Sequence, residues 1–69
     1  MNMNTRDKAR SYYLAACEAI EDIKNQRRAK AMAYLVAEAY AHYLRTGSDE
    51  WVEELITLQK EAEEEATAE

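Results

Sequence analysis

The sequence predicts an all-α protein, a small three-helix bundle, on three observations. The first is a shortage of residues that turn a chain: no proline and a single glycine, Gly47, among 69 residues. Glycine and proline are the strongest local breakers of regular structure, so a chain without them stays helical over long stretches. The second is the thirteen alanines, alanine being the best helix former. β-branched residues are sparse and nowhere alternate with polar ones, which argues against strands. The third is spacing. Apolar residues recur at steps of three and four along three segments, which places them on one side of each helix.

The first helix is expected over about residues 5–24. Asn4 is a good N-cap, and Asp7 three residues on completes a capping-box-like pair. Its apolar stripe is Ala9, Tyr12, Tyr13, Ala16, Ala19, Ile20 and Ile23, with Leu14 on the far side. A tight turn is placed at Asn25-Gln26, because asparagine tolerates the left-handed conformation that ends helices. The rival is one unbroken helix of about 40 residues, which would force an extended dimer. A short chain needs the break to bury both faces.

The second helix is expected over about 27–45, with Ala29, Met32, Ala33, Leu35, Val36, Ala39, Tyr40, Tyr43 and Leu44 on its core stripe. Tyr34 and Ala41 lie opposite, with Glu38 and Arg45. Thr46-Gly47-Ser48-Asp49 is the strongest local break, with Gly47 just past a helix end and Ser48 or Asp49 capping the next. The third helix is expected over about 49–64, presenting Trp51, Val52, Leu55, Leu58, Gln59 and Ala62, with Ile56 at the margin. Carboxylates oppose the dipole at a helix C-terminus, and Glu61 and Glu65 repel at i,i+4. Residues 1–64 therefore form one helical domain, and 65–69 a disordered acidic tail.

A chain this short buries only about 60% of the surface its unfolded form exposes, so a monomer is marginal. Cys17 is the only cysteine, which excludes an internal disulfide. A partner is therefore expected, either a second copy in a homodimer or another protein. No run of residues is long and apolar enough to span a membrane, and the polar start does not read as a signal peptide. With a free thiol, the expected compartment is the reducing cytoplasm.

Charge is distributed unevenly. The net charge is −5, yet residues 1–45 carry eight basic side chains against five acidic ones, and residues 46–69 carry Lys60 against nine. In an up-down-up bundle the acidic end of the third helix returns to the basic turn at Lys24, Arg27, Arg28 and Lys30. Opposite charges meet there, at about 0–1 kcal/mol for an exposed pair. Two sharper readings stand beside that one. Asp49, Glu50, Glu53, Glu54, Glu61, Glu64 and Glu65 form a row that can imitate a phosphate backbone, which in duplex DNA carries a charge about every 1.7 Å. The basic turn can itself bind nucleic acid weakly, although the acidity of the whole chain disfavours it.

Reactive chemistry is sparse. His42 is the only histidine, and with Glu38 one turn before it makes half a metal site at most. Cys17 and His42 are expected to lie too far apart for a thiol–imidazole pair. Glu18/Glu21 and Glu53/Glu54 read as solvated helix faces. There is no glycine-rich phosphate loop. No cofactor, metal or enzyme activity is expected. The aromatic residues Tyr13, Tyr40, Tyr43 and Trp51 should share one end of the bundle.

These features predict a non-enzymatic, acidic, helical protein-binding module, a regulator or inhibitor of a larger protein machine. In size and style it is similar to accessory proteins that phages and plasmids encode. Leu14, Tyr34, Glu38 and Arg45, together with Glu50, Glu53 and Glu54, are the expected contact residues, since an exposed tyrosine among small residues suits an interface. Nucleic-acid mimicry by the third helix is the alternative, and weak nucleic-acid binding through residues 24–30 the second.

Overall fold

The computed structural model describes residues 4–68. Residues 1–3 and 69, at the two ends of the expected domain and tail, lie outside the described residues. Three helices follow in order, α1 Thr5–Glu21, α2 Gln26–Thr46 and α3 Asp49–Thr67, packed as a three-helix bundle.

Each helix starts on a side-chain cap. Asn4 is extended, and its Oδ1 accepts from the Asp7 amide at 2.8 Å, as its position predicts. Asn25 does the same for the Arg28 amide at 3.1 Å, and Ser48 for the Glu50 amide at 3.3 Å. Each satisfies an amide that the first helical turn leaves without a partner.

The reversal near position 25 differs from the expectation in mechanism. Asn25 is extended, with φ −78° and ψ 111°, and opens α2 rather than closing α1. Gly47, at φ 68°, is the one residue with positive φ among the described residues. α1 instead ends at Glu21, short of the expected 24. The amides of Asp22 and Ile23 donate to the carbonyls of Ala19 and Ile20 at 3.0 and 3.1 Å. These shorter-range bonds tighten the last turn, and Ile23 beyond it is buried.

α2 ends as its glycine predicts. The Gly47 amide donates to the Tyr43 carbonyl at 2.7 Å, the left-handed closure that glycine adopts without a Cβ penalty. α3 runs three residues past the expected 64, so residues 65–67 are helical rather than tail. Two contacts hold that turn. Arg28 engages both carboxylate oxygens of Glu65. The Thr67 hydroxyl donates to the carbonyls of Glu63 and Glu64 at 3.2 and 3.1 Å.

The core joins Ala9 and Ala16 of α1 and Ile23 of the turn to Met32, Val36, Ala39 and Tyr43 of α2, and to Val52, Leu55, Leu58 and Ala62 of α3. α1 makes its broadest interface with α3. Ala9, Ala16 and Ala62 are fully buried, and such small side chains let helix backbones approach closely. Tyr12, Tyr13, Ala19, Ile20, Ala29, Tyr40, Trp51 and Ile56 line the rim. Three residues of the expected α2 stripe depart from the core: Leu35 and Leu44 are 47% and 51% exposed, and Ala33 is exposed as well. At 100° per residue the four buried positions of α2 cover an arc of only about 60°. Leu35 and Leu44 fall on its two flanks, where they are only partly covered.

Candidate functional site

The side chains able to do chemistry or make contacts fall into four groups. The first is aromatic and lies toward the Gly47 end. The rings of Tyr13 and Tyr40 stack at 4.5 Å, joining α1 to α2. Trp51 of α3 stacks on His42 at the same distance, and His42 Nδ1 lies 2.8 Å from an Arg45 guanidinium nitrogen. His42 is thus engaged on the α3 side of α2, while Cys17 lies on the α1 side, hydrogen-bonded to Tyr13 one turn away. That bond and the charge of the thiolate, followed by burial and the nearby Tyr40, push the Tyr13 hydroxyl above the usual tyrosine range. Cys17 and His42 occupy separate surroundings and form no nucleophilic pair.

The second group is the meeting of opposite charges that up-down-up topology requires. Arg28 Nε donates to Glu65 Oε2 at 3.1 Å, and Nη2 donates to Oε1. This paired geometry is the fork that guanidinium and carboxylate groups favour. Lys24, Arg27 and Lys30 stay exposed around it. One of the four cations assigned to the basic turn is therefore committed within the chain.

The third group is the acidic side of α3, where Asp49, Glu50, Glu53, Glu54, Glu61 and Glu64 are all exposed. Glu53 and Asp49 share a shallow cleft with Lys8 and Tyr12 at the start of α1. Glu65, the last of the expected row, turns toward Arg28 instead.

The fourth group is the outer face of the layer that α1 and α2 form, opposite α3. Tyr34 is 70% exposed and Leu14 49%, as the far-side positions of both residues predict. Leu44 joins them, with exposed Ala37 and Ala41 between. At 100° per residue, Tyr34, Ala37, Ala41 and Leu44 lie within an arc of about 80° on α2. Glu38 and Arg45 are exposed on its far flank. Glu50, Glu53 and Glu54 belong to α3 and are not part of this face. Sequence periodicity missed Leu44 here, and Leu35 beside an open groove lined by Arg27, Arg28, Met32 and Glu61. The available signal was a nine-residue stripe on α2, wider than one helix buries between two neighbours.

Among the described residues no group of three or more His, Cys, Asp or Glu side chains is placed to hold a metal ion. No described helix is long and apolar enough to cross a membrane. No protein-family model matches the chain, and no curated protein or solved structure is significantly similar to it.

Proposed function

We propose that this chain is a non-enzymatic protein-binding module that regulates or inhibits a larger protein by surface contact, docking through the outer face of α1 and α2. The observation that carries the reading is Tyr34, 70% exposed beside alanines and on the same outer face as exposed Leu14 and Leu44. A tyrosine contributes a large, rigid contact area, and interface hot spots are enriched in it. A contiguous apolar patch of this kind on a small acidic chain marks an interaction site. Glu38 and Arg45 at the flank supply the polar rim. The test is capture from a lysate of the organism that encodes the chain, with wild type and Tyr34→Ala/Leu44→Ala as paired baits. A protein retained by the first and lost by the second is expected, and identical retention would overturn the reading.

A second reading is supported by α3, where seven carboxylates are exposed on a helix whose only base is Lys60. Such a surface can occupy the cationic channel of a nucleic-acid-binding protein. Reversing Glu50, Glu53 and Glu54 to lysine is expected to abolish capture of such a target, with circular dichroism confirming that the helices remain. Undiminished capture by the reversed chain removes this reading.

A further inference from the structure

Tyr34, Ala37, Ala41 and Leu44 follow at steps of three, four and three, and all four are exposed. This is the spacing of a seam between two helices. The side chains run large, small, small, large, and the spacing reads the same in both directions about position 39. A two-fold axis at that level, lying in the plane of the face, sets Tyr34 against Leu44 of a second copy and Ala37 against Ala41. The paired alanines admit close approach at the centre, and the larger residues close the ends. Because Tyr13 stacks on Tyr40, Leu14 of α1 sits level with position 39. The same axis therefore sets Leu14 against Leu14. One patch meeting itself in this way is what two-fold symmetry requires.

Charge selects the direction. A parallel pairing would set the basic turn of one copy on the basic turn of the other. The antiparallel pairing carries Lys30 to the level of Ser48, beside Asp49 and Glu50 at the start of the second copy's α3. It also brings Arg10 level with Glu18. Asp7 and Glu21 are brought level too, but Arg10 and Lys24 follow them within one turn. We infer that the outer face of α1 and α2 takes a second copy of this chain, as a two-fold dimer with antiparallel α2 helices centred on Leu14, Ala37 and Ala41. The inference rests on reading this face as a protein-docking surface, and it seats a second copy there in place of a larger protein. A standard interface takes roughly 800 Å² from each partner. Against the 5168 Å² surface of this chain, that is about one side of a three-helix body. The dimer leaves both acidic α3 helices facing outward, free for a further target.

The test is sedimentation equilibrium of the full chain up to millimolar concentration. The expected mass rises toward twice 8.0 kDa. Ala41→Glu, at an exposed helical position, is expected to keep the helical circular dichroism and weaken dimerisation roughly tenfold or more. Direction is read by cross-linking. In a Cys17→Ser background, a mixture of Ala37→Cys and Ala41→Cys chains should oxidise to the mixed disulfide faster than either variant pairs with itself. A monomer at every concentration overturns the inference. So does a dimer indifferent to Ala41→Glu, or faster self-pairing by Ala37→Cys. A monomeric chain that keeps a Tyr34-dependent foreign partner overturns the dimer and leaves the docking reading standing. A dimer with the mixed disulfide and no foreign partner supports the inference and overturns the regulator reading.

Discussion

Asn25 and Gly47 sit at the two reversals of the chain and act by different chemistry. Gly47 supplies a backbone angle, while Asn25 supplies a side-chain oxygen to the Arg28 amide. The distinction makes a measurable prediction. At a left-handed position glycine would stabilise in place of asparagine. At an N-cap, Asn25→Gly should cost only a few tenths of a kcal/mol, and Asn25→Ala about 1 kcal/mol. For a domain of this size the latter is a fall of about 4–8 °C in melting temperature. Higher stability in Asn25→Gly would contradict the cap. Tyr13 gives a second prediction. Its hydroxyl is held above the usual tyrosine range, first by the hydrogen bond to Cys17 and then by the thiolate charge, burial and Tyr40. The unfolded chain ionises this group near pH 10. The folded chain therefore holds its proton to higher pH, and stability declines as pH rises from about 10 through the raised value. In Cys17→Ala, the tyrosine absorbance titration should show one group moving down in pH. Urea unfolding at about pH 9 and about pH 11 should show a smaller loss than in wild type. An unchanged titration would rule out Cys17 as the cause.

At the scale of the element, the last turn of α3 shows local and distant effects in competition. Glu61, Glu63, Glu64 and Glu65 crowd a helix C-terminus whose dipole repels them, and its last turn carries no basic residue. Local rules alone end the helix near 64. The turn persists because Arg28, 37 residues earlier, holds Glu65, and the Thr67 hydroxyl donates to the carbonyls of Glu63 and Glu64. Arg28 is 59% exposed at its side chain, so the pair contributes under about 1 kcal/mol to global stability. Its effect is local. Arg28→Ala should leave the melting temperature within a few degrees of wild type and raise amide hydrogen exchange at residues 65–67 well above that at 52–58. Uniform acceleration along α3 would mean that the pair holds the whole helix. This element also marks how far the sequence could be read. Three helices, the Gly47 reversal, the Asn4 cap and the return of acidic α3 to the basic turn were legible, because each depends on local chemistry or on topology alone. The end of α3 was not, because part of its cause, Arg28, lies on another helix. Asn25 was placed correctly but misread, because asparagine serves both ends of helices and sequence does not say which. Leu14 and Tyr34 were legible as exposed, since they lie opposite their stripes. Leu35 and Leu44 were not, because a three-helix body buries a narrower arc than periodicity marks.

At the scale of the whole molecule, stability depends on few side chains. Among the described residues Leu55 and Val36 are the largest that are fully buried, and much of the remaining core is alanine. A hydrophobic core in a chain under about 70 residues rarely supplies more than about 3–5 kcal/mol. Replacing a buried leucine by alanine costs about 2–5 kcal/mol, from lost transfer energy and the cavity left behind. The two quantities are equal in size, so Leu55→Ala should leave the isolated chain largely unfolded at room temperature. Leu44→Ala removes the same atoms from a site 51% exposed. Away from such buried features, substitutions usually fall within about 0.5 kcal/mol, and the monomer should stay folded. Urea unfolding of both variants at low concentration measures this contrast. Equal losses would mean that Leu44 is buried in the folded monomer, contrary to its exposure. Concentration then separates folding from association. A partner that binds only the folded chain adds stability that grows with its free concentration relative to its dissociation constant. A second copy docked on α2 would therefore raise the melting temperature of wild type with concentration, while Leu44→Ala would stay near its dilute value.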